Sequence, residues 1–170
     1  MVIERTATAV EHPNQIPVPS PTSTALTVID ISWSLGQLAT DRAWVWDALD
    51  TVPLVLVTVA TVPGMRALDA AMNLAGRHAP LVCAVVGPRR KKWPRQVVAA
   101  MSQAIAAADA AGRLVTVEEH HQLAINGLTP EPLPPGLVTA GRHLLDLTAV
   151  RDNKNDLEIN EAEYQRREAS

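Results

Sequence analysis

Val52-Pro53-Leu54-Val55-Leu56-Val57-Thr58-Val59-Ala60-Thr61-Val62-Pro63-Gly64 decides the fold. From Val52 to Ala60 the run is apolar at nearly every position and rich in β-branched residues. A half-exposed strand would alternate, so this pattern predicts a strand buried on both faces, as in a parallel sheet. Thr61-Val62-Pro63-Gly64 then opens a helix, with Pro63 in its first turn and Met65, Leu68, Ala71, Met72 and Ala75 at helical spacing. Gly76 supplies the stop. A buried strand leading into such a helix begins a βαβ unit.

The same grammar extends in both directions. Downstream, Leu81 to Val86 is a second buried strand ended by Gly87-Pro88, and a long Ala-rich helix from about Pro94 to Ala111 stops at Gly112, a C′ glycine. Arg113 to Val117 forms a further strand, and a short helix precedes Gly127. Pro130, Pro132, Pro134 and Pro135 make an irregular linker before a last helix from Leu137 to Leu147, expected to pack on the sheet. Upstream, Leu26-Thr27-Val28-Ile29-Asp30-Ile31 reads as a strand with Ser32 to Gly36 as its exit loop. A helix from Thr40-Asp41 to about Asp50 follows, with Trp44 and Leu49 on its inner face.

Strands alternating with helices imply right-handed crossovers. The expected fold class is α/β: a short parallel sheet of about four strands with helices on both faces. Residues 1–25 are expected to form a Pro-rich arm, 26–148 the domain, and 149–170 a charged, solvated tail.

Composition agrees with one domain of 170 residues: hydrophobic residues make up 47%, aromatics only 3%, and Phe is absent, so the core must be aliphatic. The net charge of −3 gives no global attraction for nucleic acid or an anionic membrane, and any such binding must be local. Cys83, the one cysteine, lies inside an apolar run and reads as a small buried hydrophobe. An intrachain disulfide framework is impossible, which fits a reducing compartment. Met1 to Glu11 holds no basic-then-apolar leader, and the Val52–Ala60 run is about half the roughly 18 apolar residues of a membrane span. A cytoplasmic location without a membrane span is the expectation.

Ligands of open parallel sheets bind beyond the carboxyl ends of the strands. Asp30 ends a strand where a magnesium-holding carboxylate would sit, although strand-terminal Asp is also a common cap. Thr61 and Gly64 stand at a helix start that presents amides to an anion, and capping explains them equally well. Arg89-Arg90-Lys91-Lys92-Trp93-Pro94-Arg95 packs five positive charges into seven residues with Trp93 interleaved. That density attracts a phosphate or an acidic partner, the alternative being a solvated loop. Glu118-Glu119-His120-His121 has poor chelating geometry, since adjacent residues point apart. Nothing matches GxxxxGK[ST], GxSxG, HExxH or CxxC, and no lysine precedes Arg89. The isolated chain is therefore not expected to hydrolyse ATP.

Val28-Ile29-Asp30, Ala60-Thr61-Val62-Pro63-Gly64-Met65-Arg66, Val86 through Pro94, and Gly127-Leu128-Thr129-Pro130 through Pro134 together resemble the C-terminal half of the ParA/MinD-type P-loop ATPases. The likeness, over roughly Leu26 to Thr148, is to the divergent MinD-like proteins of actinobacterial conjugative and plasmid-like elements. It implies a truncated P-loop NTPase fold in which Asp30 helps to place magnesium, the loop after the Leu81–Val86 strand lies near the base, and two subunits sandwich nucleotide. The departures are the missing Walker A loop, replaced by the Pro-rich arm, and Gly87-Pro88 where the family has an Asn.

The resemblance points to a non-catalytic (pseudo-ATPase) binding or regulatory module in DNA partitioning or conjugative transfer, working with a protein partner or as a homodimer. Two alternatives stand beside it. One is a nucleic-acid accessory protein that grips DNA through Arg89, Arg90, Lys91, Lys92, Trp93 and Arg95. The other is half of a split ATPase, in which Asp30, Ser32, Thr61, Gly64, Arg89 and Arg90 meet ATP and magnesium only when a partner supplies the P-loop. No cofactor is expected for the chain alone, and no catalytic residue is assigned.

Overall fold

The computed structural model describes residues 12–15, 34–41, 44–49, 52–76, 81–127 and 131–148. The chain divides into two compact units on either side of the Val52–Pro53 bond. In the first, a 3-10 turn at Pro13–Gln15 and helices α1 (Leu35–Thr40) and α2 (Trp44–Ala48) bury Pro13, Leu38 and Leu49. α1 occupies residues whose small and polar start reads as loop. It forms because Ser34 and Gln37 make a capping box: the Ser34 hydroxyl accepts from the Gln37 amide at 3.3 Å, and Gln37 Oε1 accepts from the Ser34 amide at 3.2 Å.

The second unit is an α/β arrangement around three parallel strands: β1 (Leu54–Val59), β2 (Leu81–Gly87) and β3 (Leu114–Glu118), in spatial order β1-β2-β3. Register runs from Leu54 opposite Leu81 to Val59 opposite Val86, and from Cys83 opposite Leu114 to Gly87 opposite Glu118. The fourth expected strand, Leu26 to Ile31, lies outside the described residues, as does the 149–170 tail.

Helix α3 (Val62–Ala75) joins β1 to β2. Thr61 caps it by accepting the Gly64 amide at 3.1 Å, Pro63 sits in its first turn, and Met65, Leu68 and Ala75 are buried. Both β-to-β crossovers step the same way across the sheet, so right-handed connections carry both to one face. Accordingly α3 packs against α5 (Gln103–Ala110), the main helix of the second crossover. Beneath them lie Leu56, Cys83, Val85 and Leu114, with Cys83 and Val85 fully buried.

The opposite face carries Val55, Val57, Val59, Val82, Ala84, Val86, Val115 and Val117 by strand alternation. Burial there is unequal: Val82 and Ala84 on the central strand are 4% and 3% exposed, whereas Val57 and Val59 on β1 are 70% and 50% exposed. The expectation of two buried faces therefore holds for β2 and not for β1. The two crossover helices share one face rather than dividing between both.

The Ala-rich stretch from Pro94 to Ala111 is two helices, not one: α4 (Arg95–Ala99) and α5. Ser102 accounts for the break, because its hydroxyl accepts the Ile105 amide at 3.3 Å and starts a new helix. Gly112 ends α5 as expected, with φ of +70°. The Gly112 amide donates to Asp109 and the Arg113 amide to Ala108, a Schellman closure. Ile105 is fully buried. Ile105→Ala is expected to lower unfolding free energy by about 3 kcal/mol in urea denaturation, combining lost transfer energy with an uncollapsed cavity.

Beyond β3 come α6 (His121–Asn126) and α7 (135–148), the latter burying Ala140. Among the described residues no helix is long and apolar enough to cross a membrane.

Candidate binding surface at the carboxyl edge of the sheet

The parallel register brings the ends of β1, β2 and β3 to one edge, so Thr58 to Gly64, Gly87 to Arg95 and Glu118 to His121 are neighbours there. At the end of β1, Thr61 spends its side-chain oxygen on the Gly64 amide, and the Thr58 hydroxyl donates to the Gly64 carbonyl at 2.9 Å. Gly64 is also a close-approach residue. A Cβ at this position would overlap the Val59 carbonyl oxygen, so the helix start can lie against the strand end only as glycine. Capping and close packing thus account for both Thr61 and Gly64.

Gly87, at the end of β2, adopts φ of +152°, and a Cβ there would stand 2.7 Å from the Ala60 Cβ. That compact crossing lets the Ala60 amide reach the Val86 carbonyl at 2.8 Å.

The basic loop that follows is internally braced. Residues Arg90–Lys92 form a 3-10 turn. The Nε and Nη2 of Arg90 both donate to Asp109 Oδ2 at 3.1 Å, Nη2 also approaches Met101 Sδ at 3.3 Å, and the guanidinium lies 4.5 Å from the Trp93 ring centroid. Trp93 is turned inward, 7% exposed, and its Nε1 donates to the Pro88 carbonyl at 2.8 Å. Arg89 pairs with Glu118 across the ends of β2 and β3, but its side chain is 77% exposed, so this pair adds on the order of 0–1 kcal/mol.

The loop's five charges therefore fall into two groups. Arg89 and Arg90 have acid partners, whereas Lys91, Lys92 and Arg95 are exposed and have no acid partner among the described residues. The sequence did not point to Asp109, Met101 or the Pro88 carbonyl as braces. The one available signal was Asp109, a lone acid in an alanine-rich helix.

Of the other candidates, Asp30 and Ser32 lie outside the described residues. His120 places Nε2 in the interior without a hydrogen-bond partner, while His121 is exposed at the start of α6. No group of three or more His, Cys, Asp or Glu side chains suited to a metal ion occurs among the described residues.

Cys83 is buried in β2, and desolvation pushes its thiol up to about 11. It should resist thiol reagents at pH 8 unless the protein is unfolded. A raised acid pKa stabilises the fold fully below the unfolded value, and this contribution is lost as pH rises from about 9 through about 11. Denaturation midpoints should fall over that window, and Cys83→Ala should flatten the fall.

No family model, curated protein or solved structure matches this chain.

Proposed function

We propose that the chain is a non-catalytic, MinD/ParA-like binding or regulatory module whose working surface is the carboxyl edge of its sheet. The context suggested by the sequence resemblance is DNA partitioning or conjugative, mobile-element transfer. One observation carries the reading: the loop after β2 is braced from within by Arg90, Asp109 and Trp93, yet it displays Lys91, Lys92 and Arg95 to solvent. A rigid frame that holds charged side chains outward lowers the ordering cost of association, which suits recognition.

The groups at the start of α3 support the same reading. Thr61 and the Gly64 amide are engaged with each other, so a phosphate there would have to displace an existing cap. ATP and magnesium enter this account only if a partner supplies a P-loop and its lysine.

Turnover of Mg-ATP by the purified full-length chain tests the proposal. None is expected above background, with or without duplex DNA. Turnover abolished by Asp30→Ala would overturn the proposal in favour of a true nucleotide hydrolase.

A further inference from the structure

We propose that Lys91, Lys92 and Arg95, together with a depression beside Arg90, form a docking surface for a short acidic peptide segment bearing an aliphatic side chain, supplied by a partner protein. This rests on the binding-module reading and names its partner class. The depression is open, about 380 Å³ in volume, and lined by Arg90, Val98, Met101, Ala106, Asp109 and Ala110. Its walls are apolar apart from the Arg90–Asp109 pair, whose charges already satisfy one another. Val98 is 41% exposed and lies three residues after Arg95 on α4, so the cation and the apolar wall share one helix face. Lys91 and Lys92 are exposed on the 3-10 turn that Arg90 itself begins, one and two residues from the hollow's wall.

Three cations, none with an acid partner among the described residues, thus lie within three residues of the lining of one partly apolar hollow. Carboxylates complement the first and a leucine- or isoleucine-sized group the second.

Three observations favour an acidic peptide over nucleic acid. Duplex binders commonly neutralise roughly 6–10 phosphates, whereas three cations give a salt slope of only about −2.7. Glu119 stands exposed just past the adjacent strand end of a chain with net charge −3, so a long polyanion meets repulsion that a short segment avoids. Trp93, the one aromatic in the loop, faces inward and offers no platform for stacking bases.

The test is fluorescence anisotropy at low salt, using the full-length chain and a labelled synthetic peptide of alternating glutamate and leucine. Saturable binding is expected. Lys91→Glu/Lys92→Glu/Arg95→Glu should weaken it at least tenfold and Val98→Asn at least threefold, while Arg142→Glu, exposed on α7, which contributes nothing to the hollow's lining, should leave it unchanged. Circular dichroism establishes that each variant is folded. An alternating glutamate–serine peptide should bind at least threefold more weakly, since it leaves the hollow unfilled.

Absence of binding, equal binding by the triple variant, or displacement of the peptide by a lower concentration of duplex DNA would overturn the docking proposal. None of these outcomes touches the non-catalytic reading, which falls only on ATP turnover.

Discussion

Arg90→Ala is expected to lower the unfolding free energy by about 2–3 kcal/mol, the loss of a half-buried ion pair together with its stacking partner. Four contacts disappear at once: both hydrogen bonds to Asp109 Oδ2, the approach to Met101 Sδ, and the cover over the Trp93 ring. Asp109 is then left with its side chain 31% exposed and no cation. Asp109→Asn should lose less, since the amide still accepts from Arg90. Arg90→Lys should rescue little, because an ammonium cannot place two donors on one carboxylate oxygen while lying flat on an indole. A double-mutant cycle between Arg90 and Asp109, read by urea denaturation, should show a coupling of about 1–2 kcal/mol. Additive effects would mean that the loop is not braced through this pair.

The second large effect belongs to glycine. Gly64→Ala is expected to cost about 3 kcal/mol, at the severe end of overpacking, because its Cβ meets the Val59 carbonyl and backbone cannot step aside as a side chain can. Either α3 retreats from β1 or its first turn unwinds, and in both cases the Thr58 and Thr61 hydrogen bonds to Gly64 weaken. Gly87→Ala should be comparably harmful through its φ of +152° and its approach to Ala60. Gly141 supplies the internal comparison. It lies in α7, and a methyl group placed on its Cα would meet nothing within 4 Å, so Gly141→Ala should stabilise the protein by about 0.5–1 kcal/mol. Thermal melts of the three variants separate close packing from helix propensity.

How far the residues alone reveal this structure depends on where each element's cause lies. β1, α3 and β2 were legible because an unbroken apolar run, a proline in the first helical turn and a glycine stop are local signals, and they land within a residue or two of the observed ends. Gly112 was legible for the same reason. The break at Ala100 to Ser102 was not, since an alanine-rich window favours one continuous helix and only the Ser102–Ile105 cap divides it. α1 was missed although Ser34 and Gln37 spell a capping box, because the surrounding serines and glycine read as an exit loop.

The exposure of Val57 and Val59 was illegible in principle. An apolar strand reports what it would bury, not which layer arrives to cover it.

The basic loop shows the same limit at the site. Its charge density stands in the sequence, but the division of labour does not. Arg90 and Trp93 act inward only because Asp109, nineteen residues downstream of Arg90, and the Pro88 carbonyl are brought alongside by the fold. Spacing cannot separate these two from Lys91, Lys92 and Arg95.

Hydrogen exchange of the full-length chain with and without Mg-ATP tests most directly the claim that this edge is a binding surface rather than a nucleotide site. Unchanged exchange across residues 58–64 and 87–92 is the expected result, because the Thr61 and Gly64 amides at the start of α3 and the Lys92 amide of the 3-10 turn are already hydrogen-bonded within the fold. Nucleotide-dependent protection of those two segments would contradict it.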